Sequence, residues 1–177
     1  MKRGFFAILA LLLCLALTAK ADQTFATRYF TLTIPDAWET DFDGLISDKT
    51  KWDLGYIYPS DTLCIRAELQ YYEAWNDFSL WRADKAGMDE YTQALLDDYK
   101  EYLPKLTNTL FVGRIPFLLL ELHDREGIFY WAETMTNGYA VGFECYGLSD
   151  DLKSYRDVTD AELEHFVETL KTFQPVY

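Results

Sequence analysis

Hydrophobic and polar residues alternate with a period of two in residues 29–34, and this alternation predicts a half-buried β-strand. Pro35 has no amide hydrogen to donate, so it ends the strand. Two more strands are predicted at residues 54–58 and 63–71, and the Pro-Ser-Asp turn between them makes a hairpin. The first strand carries Phe30, Leu32 and Ile34 on its apolar side and Tyr29, Thr31 and Thr33 on its polar side.

Three longer strands are predicted in the second half of the chain, where they follow one another as a meander. Residues 109–124 are apolar over several successive positions, as in a central strand, and Gly113 and Pro116 indicate a bulge or an early bend. Residues 128–135 and 139–148 form the other two strands. The Asn-Gly pair between these two tolerates positive φ and therefore predicts a two-residue hairpin turn.

Apolar residues recur at intervals of three or four in two other stretches, and each stretch predicts a helix with one apolar face. The first helix spans about residues 88–103 and ends before Pro104. The second begins with Thr159 and Glu162, which match a capping box. The apolar faces consist of Met88, Tyr91, Leu95, Tyr99 and Tyr102 in the first helix and of Leu163, Phe166, Val167, Leu170 and Phe173 in the second.

The order of predicted elements is therefore β, ββ, α, βββ, α. Both helices have one apolar face, so both are expected to cover a single antiparallel sheet in an α+β domain. Residues 22–177 have the length of one ordinary domain, and no internal repeat or linker interrupts them.

The first 21 residues have the pattern of a cleaved signal peptide. Lys2 and Arg3 precede an apolar run, and the Ala-Lys-Ala sequence at residues 19–21 is a cleavage signal. The apolar run is shorter than the roughly 20 residues of a membrane span. We therefore predict a protein that is secreted or held in the cell envelope, without stable membrane insertion after cleavage. A retained N-terminal anchor is the alternative.

The chain is acidic, with a formal net charge of −13. The charged residues of the predicted signal peptide are all basic, so its cleavage makes the protein more negative. A strongly negative protein is repelled by nucleic acids and by anionic membrane surfaces, so neither is predicted as a partner. Hydrophobic residues make up 50% of the sequence and aromatic residues 17%, which indicates a globular protein.

The stretch FTLTIPDAW, residues 30–38, resembles the opening motif of PsbP-like domains, in which an alternating strand meets a proline and a tryptophan follows. The order of elements in the rest of the chain is similar to the same fold, which includes exported bacterial proteins of unknown function. The resemblance implies a PsbP-like α/β/α sandwich and a binding or assembly module. From the residues alone, Pro35 fixes the exit of the strand and Trp38 is predicted to fold over the end of the sheet as part of the core.

Cys64 and Cys145 lie in predicted strands, and an exported protein permits a disulfide between them. Two buried free thiols are the equal alternative. Asp41 and Asp43 match two positions of a calcium-binding loop, but Thr50 replaces the Glu expected at its last position. An acidic turn is the favoured interpretation of this segment, and no metal or cofactor is predicted.

The two histidines lack the partners of a catalytic site. Residues 123–127, HDREG, are predicted to form a solvated turn, and His165 is predicted at the surface of the final helix. No serine lies in a G-x-S-x-G or S-x-x-K motif, and no glycine-rich phosphate loop occurs. The chain is therefore predicted not to be an enzyme, and no catalytic residue is assigned.

Aromatic residues are dense between positions 71 and 81. A strand end buries only alternate side chains, so some of these rings are expected to face solvent or a groove, as tyrosine and tryptophan do at contact sites. A small core beneath the loop is the alternative. The hypothesis is a binding surface formed by Trp75, Trp81, Tyr72 and Phe78.

The sequence thus predicts an exported, non-enzymatic binding or protein-interaction module, whose partner is a protein or small ligand that the sequence does not identify. One alternative is an exported hydrolase with an atypical carboxylate site, which two carboxylates of raised pKa in one cleft would favour. A calcium-dependent binding module is the other.

Overall fold

The computed structural model describes residues 22–27, 29–41, 50–149 and 154–175, and these residues form the predicted α+β architecture. The predicted signal peptide, residues 1–21, lies outside the described residues. No helix among the described residues is both long and apolar enough to cross a membrane. The elements are, in order, β1 (Gln23–Ala26), β2 (Phe30–Ile34), β3 (Glu39–Asp41), β4 (Lys51–Ser60), β5 (Leu63–Tyr71), α1 (Lys85–Asp98), β6 (Lys105–Val112), β7 (Ile115–His123), β8 (Ile128–Thr136), β9 (Tyr139–Leu148), β10 (Tyr155–Arg156), α2 (Asp160–Lys171) and β11 (Gln174–Pro175).

Most of these strands form one antiparallel sheet, which we call the main sheet. It runs in the order β3-β4-β5-β9-β8-β7-β6, with β10 paired to the end of β9. Strands β1, β2 and β11 form a smaller sheet with β2 in the centre. The expectation of a single sheet is therefore wrong, because the strand that contains Phe30 pairs with β1 and β11 and not with the main sheet.

The principal core lies between the main sheet and a layer made of the smaller sheet and α2. The apolar residues Phe30, Leu32 and Ile34 of β2 are all buried, as their alternation predicts. Phe30 stacks on Phe173, which follows α2, with ring centroids 5.2 Å apart. Helix α1 packs on the opposite face of the main sheet through a second apolar cluster. The predicted α/β/α sandwich is therefore confirmed.

Both helices begin at side-chain caps. In α2, Thr159 and Glu162 form the predicted capping box. In α1, the carboxylate of Asp84 accepts a hydrogen bond from the amide of Gly87 at 2.9 Å, so this helix begins three residues earlier than the periodicity predicts. Helix α1 ends at Asp98, and a single 3-10 turn carries the chain on to Pro104.

The apolar run at residues 109–124 is two strands and not one. Val112 and Ile115 pair across a tight turn, and Gly113 in that turn has a φ of 62°. A glycine adopts this left-handed conformation without the penalty that other residues incur. Gly113 therefore reverses the chain, where a bulge or bend was expected. The predicted turn at Asn137-Gly138 is confirmed, with positive φ at both residues.

Strand β2 ends at Ile34, directly before Pro35, as the sequence predicts. After Pro35 the chain turns, and the amide of Trp38 donates to the carbonyl of Pro35 at 3.0 Å. The indole of Trp38 is half-buried and packs against the principal core. Its backbone carbonyl accepts a hydrogen bond from the side chain of Gln23 at 2.8 Å, which holds this turn against β1.

Candidate functional site

The face of the main sheet that carries α1 is covered over only part of its width. Helix α1 and the loop before it pack on β7, β8 and the adjacent part of β9. The apolar cluster beneath α1 includes no described residue of β4 or β5, where Tyr56 and Arg66 on this face are half-buried. Directly opposed residues share a face of a sheet. One row across this face, from its open half to its covered half, therefore consists of Tyr56, Arg66, Glu144 and Trp131, each paired with the next.

The covered half is sealed by aromatic rings. Tyr91 of α1 is buried, and the rings of Trp75 and Phe78 pack on it with centroid distances of 5.1 and 5.3 Å. Leu118 and Leu120 of β7 are fully buried beneath the helix. This half is therefore a second core and leaves no space for a ligand of ordinary size.

A carboxyl group, Glu133 of β8, is buried in this second core. The hydroxyl of Tyr91 donates a hydrogen bond to it, and the indole N–H of Trp131 donates a second at 3.1 Å. Burial raises the pKa of Glu133 to about 7, and these two hydrogen bonds only partly oppose the effect. Its neighbour Asp98 lines the same small cavity of about 10 Å³, which is room for about one water molecule.

Replacing Glu133 by glutamine is expected to flatten the dependence of stability on pH. The pKa of Glu133 rises on folding from 4.5 to about 7, so its contribution to stability is complete below pH 4.5 and is lost as the pH rises through 7. Between pH 5 and pH 8 the wild type should lose about 2 kcal/mol more unfolding free energy than Glu133→Gln. Urea denaturation at both pH values measures this difference.

The matched control is Glu90→Gln, because Glu90 is an exposed residue of α1. This variant should retain the wild-type pH dependence. Parallel curves for the wild type and Glu133→Gln would contradict the assignment of the titration to Glu133.

Trp131 forms the boundary between the two halves of the face. Its indole lies against Gly142 of β9, so that a Cβ atom on Gly142 would overlap the ring. Trp131 is buried and its ring also packs on Tyr99, with centroids 5.3 Å apart. The glycine thus lets the ring lie flat on β9, and the second core ends there.

The open half of the face carries tyrosines, which we call the tyrosine face. The rings of Tyr56 and Tyr58 on β4 are stacked, with centroids 6.3 Å apart. The rings of Tyr146 on β9 and Tyr155 on β10 meet edge to face at 4.7 Å. Tyr155 is exposed and the other three are half-buried. The tyrosine face consists of Tyr56, Tyr58, Tyr146 and Tyr155.

Arg66 of β5 lies at the centre of the tyrosine face among three carboxylates. Its guanidinium contacts Glu68 at 2.7 Å, Asp53 at 3.0 Å and Glu144 at 3.5 Å. Burial lowers the pKa of Arg66, but these carboxylates outweigh that effect and raise it. Lys51 contacts Glu68 at 2.6 Å. Two cations therefore face three carboxylates, and Glu144 has the longest contact of the three.

A cleft of about 120 Å³ opens beside Glu144 where β8 leaves β9. Strand β8 pairs with β9 up to Cys145, and β10 then pairs with Gly147 and Leu148. Phe129 and Tyr155 stand on either side of the resulting gap and line the cleft. Burial raises the pKa of the Glu144 carboxyl, and Arg66 opposes this rise.

Arg156 holds the rim of this cleft together. Its guanidinium donates to the backbone carbonyls of Leu148, Asp157 and Thr62 at 2.8–3.1 Å. It also donates to both carboxylate oxygens of Glu162, at 2.6 and 2.9 Å. The Arg156 hydrogen bonds hold the pKa of Glu162 down at about 2, although burial opposes this. Arg156 therefore joins β10, the β4–β5 turn and the start of α2.

The aromatic residues singled out in the sequence do not form one surface. Trp75, Phe78 and Tyr72 are half-buried and pack against the second core beneath the loop. Trp81 is 38% exposed, and the guanidinium of Arg82 lies 4.2 Å from its ring centroid. The structure thus separates Trp81, which remains available for contact, from three rings that mainly stabilise the fold.

The two cysteines are free and buried. Cys64 pairs with Tyr146 and Cys145 pairs with Ile65, so the two side chains point to opposite faces of the main sheet. The disulfide alternative is therefore wrong for this structure. Burial raises the pKa of the Cys64 thiol to about 11, even though hydrogen bonding with Tyr146 and Tyr58 lowers it.

The other polar candidates are dispersed. Asp41 ends β3, and Asp43 lies outside the described residues. Among described residues, no three histidine, cysteine or acidic side chains gather as a metal site. His123 contacts Glu121 at 3.0 Å, and His165 is exposed on α2 as predicted.

The architecture is that of a PsbP-like domain. It is similar to the solution structure of cyanobacterial PsbP (CyanoP) from Synechocystis sp. PCC 6803, with a TM-score of 0.52 and 13% sequence identity. The similarity covers 89% of this chain and 95% of that chain. Comparison with protein-family models and with curated protein sequences finds no match. The similarity establishes the fold, and one fold supports many functions.

The residues of the tyrosine face were not singled out from the sequence. Their signal is the alternation within β4, β5 and β9, which places Tyr56, Arg66, Glu144 and Tyr146 on one face. The alternation does not tell which part of that face a helix covers, and the position of α1 decides this.

Proposed function

We propose that this protein is an exported, non-enzymatic binding module and that the tyrosine face is its binding surface. The sequence of residues 1–21 supports export, because it has the charge, apolar length and cleavage signal of a secretory leader. The proposal keeps the function class inferred from the sequence and moves the binding surface from the aromatic loop to β4, β5, β9 and β10.

One observation carries this proposal: half of a sheet face displays tyrosines around a cleft, whereas α1 and its loop seal the other half. Tyrosine offers a large rigid ring and a hydroxyl group, so it is enriched where proteins contact partners. Tyr155 is 47% exposed, although it packs edge to face on Tyr146. An exposed ring held in one orientation is suited to contact with a partner.

The two alternative functions have less support among the described residues. Glu133 and Asp98 both have a raised pKa and line one cavity, which is the feature expected of a carboxylate hydrolase. That cavity has room for about one water molecule and none for a substrate. A calcium-dependent module would need ligands from the segment that contains Asp43, which lies outside the described residues.

The proposal predicts that binding depends on Tyr146 and Tyr155. The exported protein is immobilised and exposed to medium conditioned by the cells that produce it, and bound proteins and small molecules are quantified by mass spectrometry. The double variant Tyr146→Ala/Tyr155→Ala should reduce recovery of the specific partner by about tenfold or more, as for a hot spot worth about 2 kcal/mol.

Two controls locate the surface. Tyr139→Ala removes a tyrosine that is 37% exposed and lies outside the tyrosine face, and Trp81→Ala removes the exposed indole of the loop. Both should retain wild-type recovery. If only Trp81→Ala reduces recovery of the partner, the binding surface lies on the aromatic loop. Equal recovery by every variant would refute both locations.

A further inference from the structure

The cleft beside Glu144 has the size of one amino-acid side chain. Its volume is about 120 Å³, whereas pockets for whole metabolites usually measure roughly 300–1,000 Å³. A cavity of about 150 Å³ in another protein admits benzene, so this cleft admits a group of about five non-hydrogen atoms. An extended butyl chain that ends in one polar group has this size.

Aromatic rings line this cleft on several sides. Tyr56, Phe129, Tyr146 and Tyr155 all contribute to its wall. The face of an aromatic ring attracts a cation because its π-electrons give it partial negative charge. A positively charged group in the cleft would therefore contact rings, and these contacts would offset part of the cost of leaving water.

The charged side chains around the cleft also favour a positively charged ligand. Besides the two cations and three carboxylates of the Arg66 cluster, Asp124 lines the cleft, and Arg156 is matched by Glu162. Together these protein side chains carry two more negative than positive charges. Glu144 is half-buried, and its one ion pair among the described residues is the 3.5 Å contact with a guanidinium that also pairs with Asp53 and Glu68.

The two arginines in the wall do not oppose a cation. Arg66 is engaged by three carboxylates, and the Arg156 guanidinium makes its hydrogen bonds to Glu162 and to backbone carbonyls. Their positive charges are therefore already compensated.

Two carboxylates, Glu144 and Asp124, line the cleft. Asp124 accepts hydrogen bonds from the backbone amides of Glu126 and Gly127 at 2.7 and 2.9 Å. Glu144 has, among the described residues, only its long contact with Arg66, so a second cation would contact Glu144.

We infer that the cleft binds a single alkylammonium group, the chemistry that a protein lysine side chain and a small primary amine share. This inference rests on the proposed function, because it assigns a ligand class to the tyrosine face. The ammonium group contacts Glu144, and the alkyl chain lies among the rings of Tyr146, Tyr155 and Phe129.

The test is a titration of the isotope-labelled, exported protein followed by two-dimensional NMR. The probes are butylammonium and butanol, which have the same chain and differ in charge. Butylammonium should shift the amide signals of residues around Glu144 and Tyr146 and bind about tenfold more tightly than butanol. Raising the salt concentration should weaken butylammonium binding and leave butanol binding unchanged.

The variant Glu144→Gln keeps the shape of the side chain and removes its charge. It should reduce the preference for butylammonium to about twofold or less, and Tyr155→Leu should weaken the binding of both probes. Glu90→Gln, on the exposed side of α1, should bind as the wild type does. Unchanged thermal unfolding of Glu144→Gln shows that the loss is not a folding defect.

A third probe identifies the source of the group. The peptide acetyl-Gly-Lys-Gly-amide should bind more tightly than butylammonium if a protein lysine is the natural ligand, and equally tightly if a free amine is. Either result supports the alkylammonium assignment.

Equal affinity for butylammonium and butanol would overturn the inference, and the tyrosine face would then remain a binding surface for uncharged groups. Signal shifts confined to residues far from Glu144 would also overturn it. The capture experiment with Tyr146→Ala/Tyr155→Ala decides the proposed function separately, because its readout does not depend on the charge of the ligand.

Discussion

Gly142→Ala is expected to destabilise the protein by about 3 kcal/mol or more, at the upper end of the cost of overpacking a core. The added methyl group would overlap the indole of Trp131, which is buried between β9 and Tyr99. The ring cannot move without breaking its hydrogen bond to Glu133. Urea denaturation of the wild type and the variant measures the loss.

The control for this substitution is Gly87→Ala in α1. A Cβ atom there would meet the ring of Phe78 at 3.4 Å, which is an ordinary van der Waals contact. Because alanine favours a helix more than glycine does, this variant should be unchanged or more stable by about 0.5–1 kcal/mol. A loss below about 1 kcal/mol for Gly142→Ala would show that Trp131 does not form the boundary described here.

Removing the side chain of Arg156 is expected to cost about 3 kcal/mol. Arg156→Ala leaves the carboxylate of Glu162 and the carbonyls of Leu148 and Thr62 without their charged donor. Breaking one member of a buried ion pair typically costs about 3–5 kcal/mol, and the partial exposure of Arg156 places the expected loss at the lower end. Chemical denaturation at pH 7 measures it.

The pH dependence of the same pair gives a second readout. Because the pKa of Glu162 falls on folding from 4.5 to about 2, its contribution to stability is present above pH 4.5 and is lost as the pH falls through about 2. Arg156→Ala should therefore differ from the wild type less at pH 2 than at pH 7. Arg156→Lys should recover only part of the loss, because an ammonium group cannot make the two parallel hydrogen bonds.

Arg114→Ala, in the exposed β6–β7 turn, provides the control and should change stability by less than about 0.5 kcal/mol. Equal effects of the Arg114 and Arg156 substitutions at pH 7 would contradict the role given to Arg156.

The sequence correctly predicts the elements that depend on a short motif of neighbouring residues. The capping box of Thr159 and Glu162 and the Asn137-Gly138 turn each satisfy a specific backbone requirement, and both are found. The strands β1, β3, β10 and β11 were not predicted, because strands of two to four residues carry too little periodicity. Their formation depends on pairing with partners distant in the sequence.

The candidate site is harder to predict for a physical reason. The aromatic residues after β5 suggested an exposed surface, but Trp75 and Phe78 pack on Tyr91 once α1 docks above them. The same docking leaves Tyr56 and Tyr146 outside the apolar cluster beneath the helix. Local alternation assigns a residue to a face, whereas the exposure of that face depends on the tertiary position of a helix.

The binding role proposed for the tyrosine face is tested most directly by site-specific photo-crosslinking in the cells that produce the protein. A photoreactive phenylalanine analogue replaces Tyr155 in one strain and the exposed Glu90 of α1 in another. We expect a discrete crosslinked product from position 155 and none from position 90. The same products from both positions, or none from position 155 while the protein is produced and folded, would contradict this role.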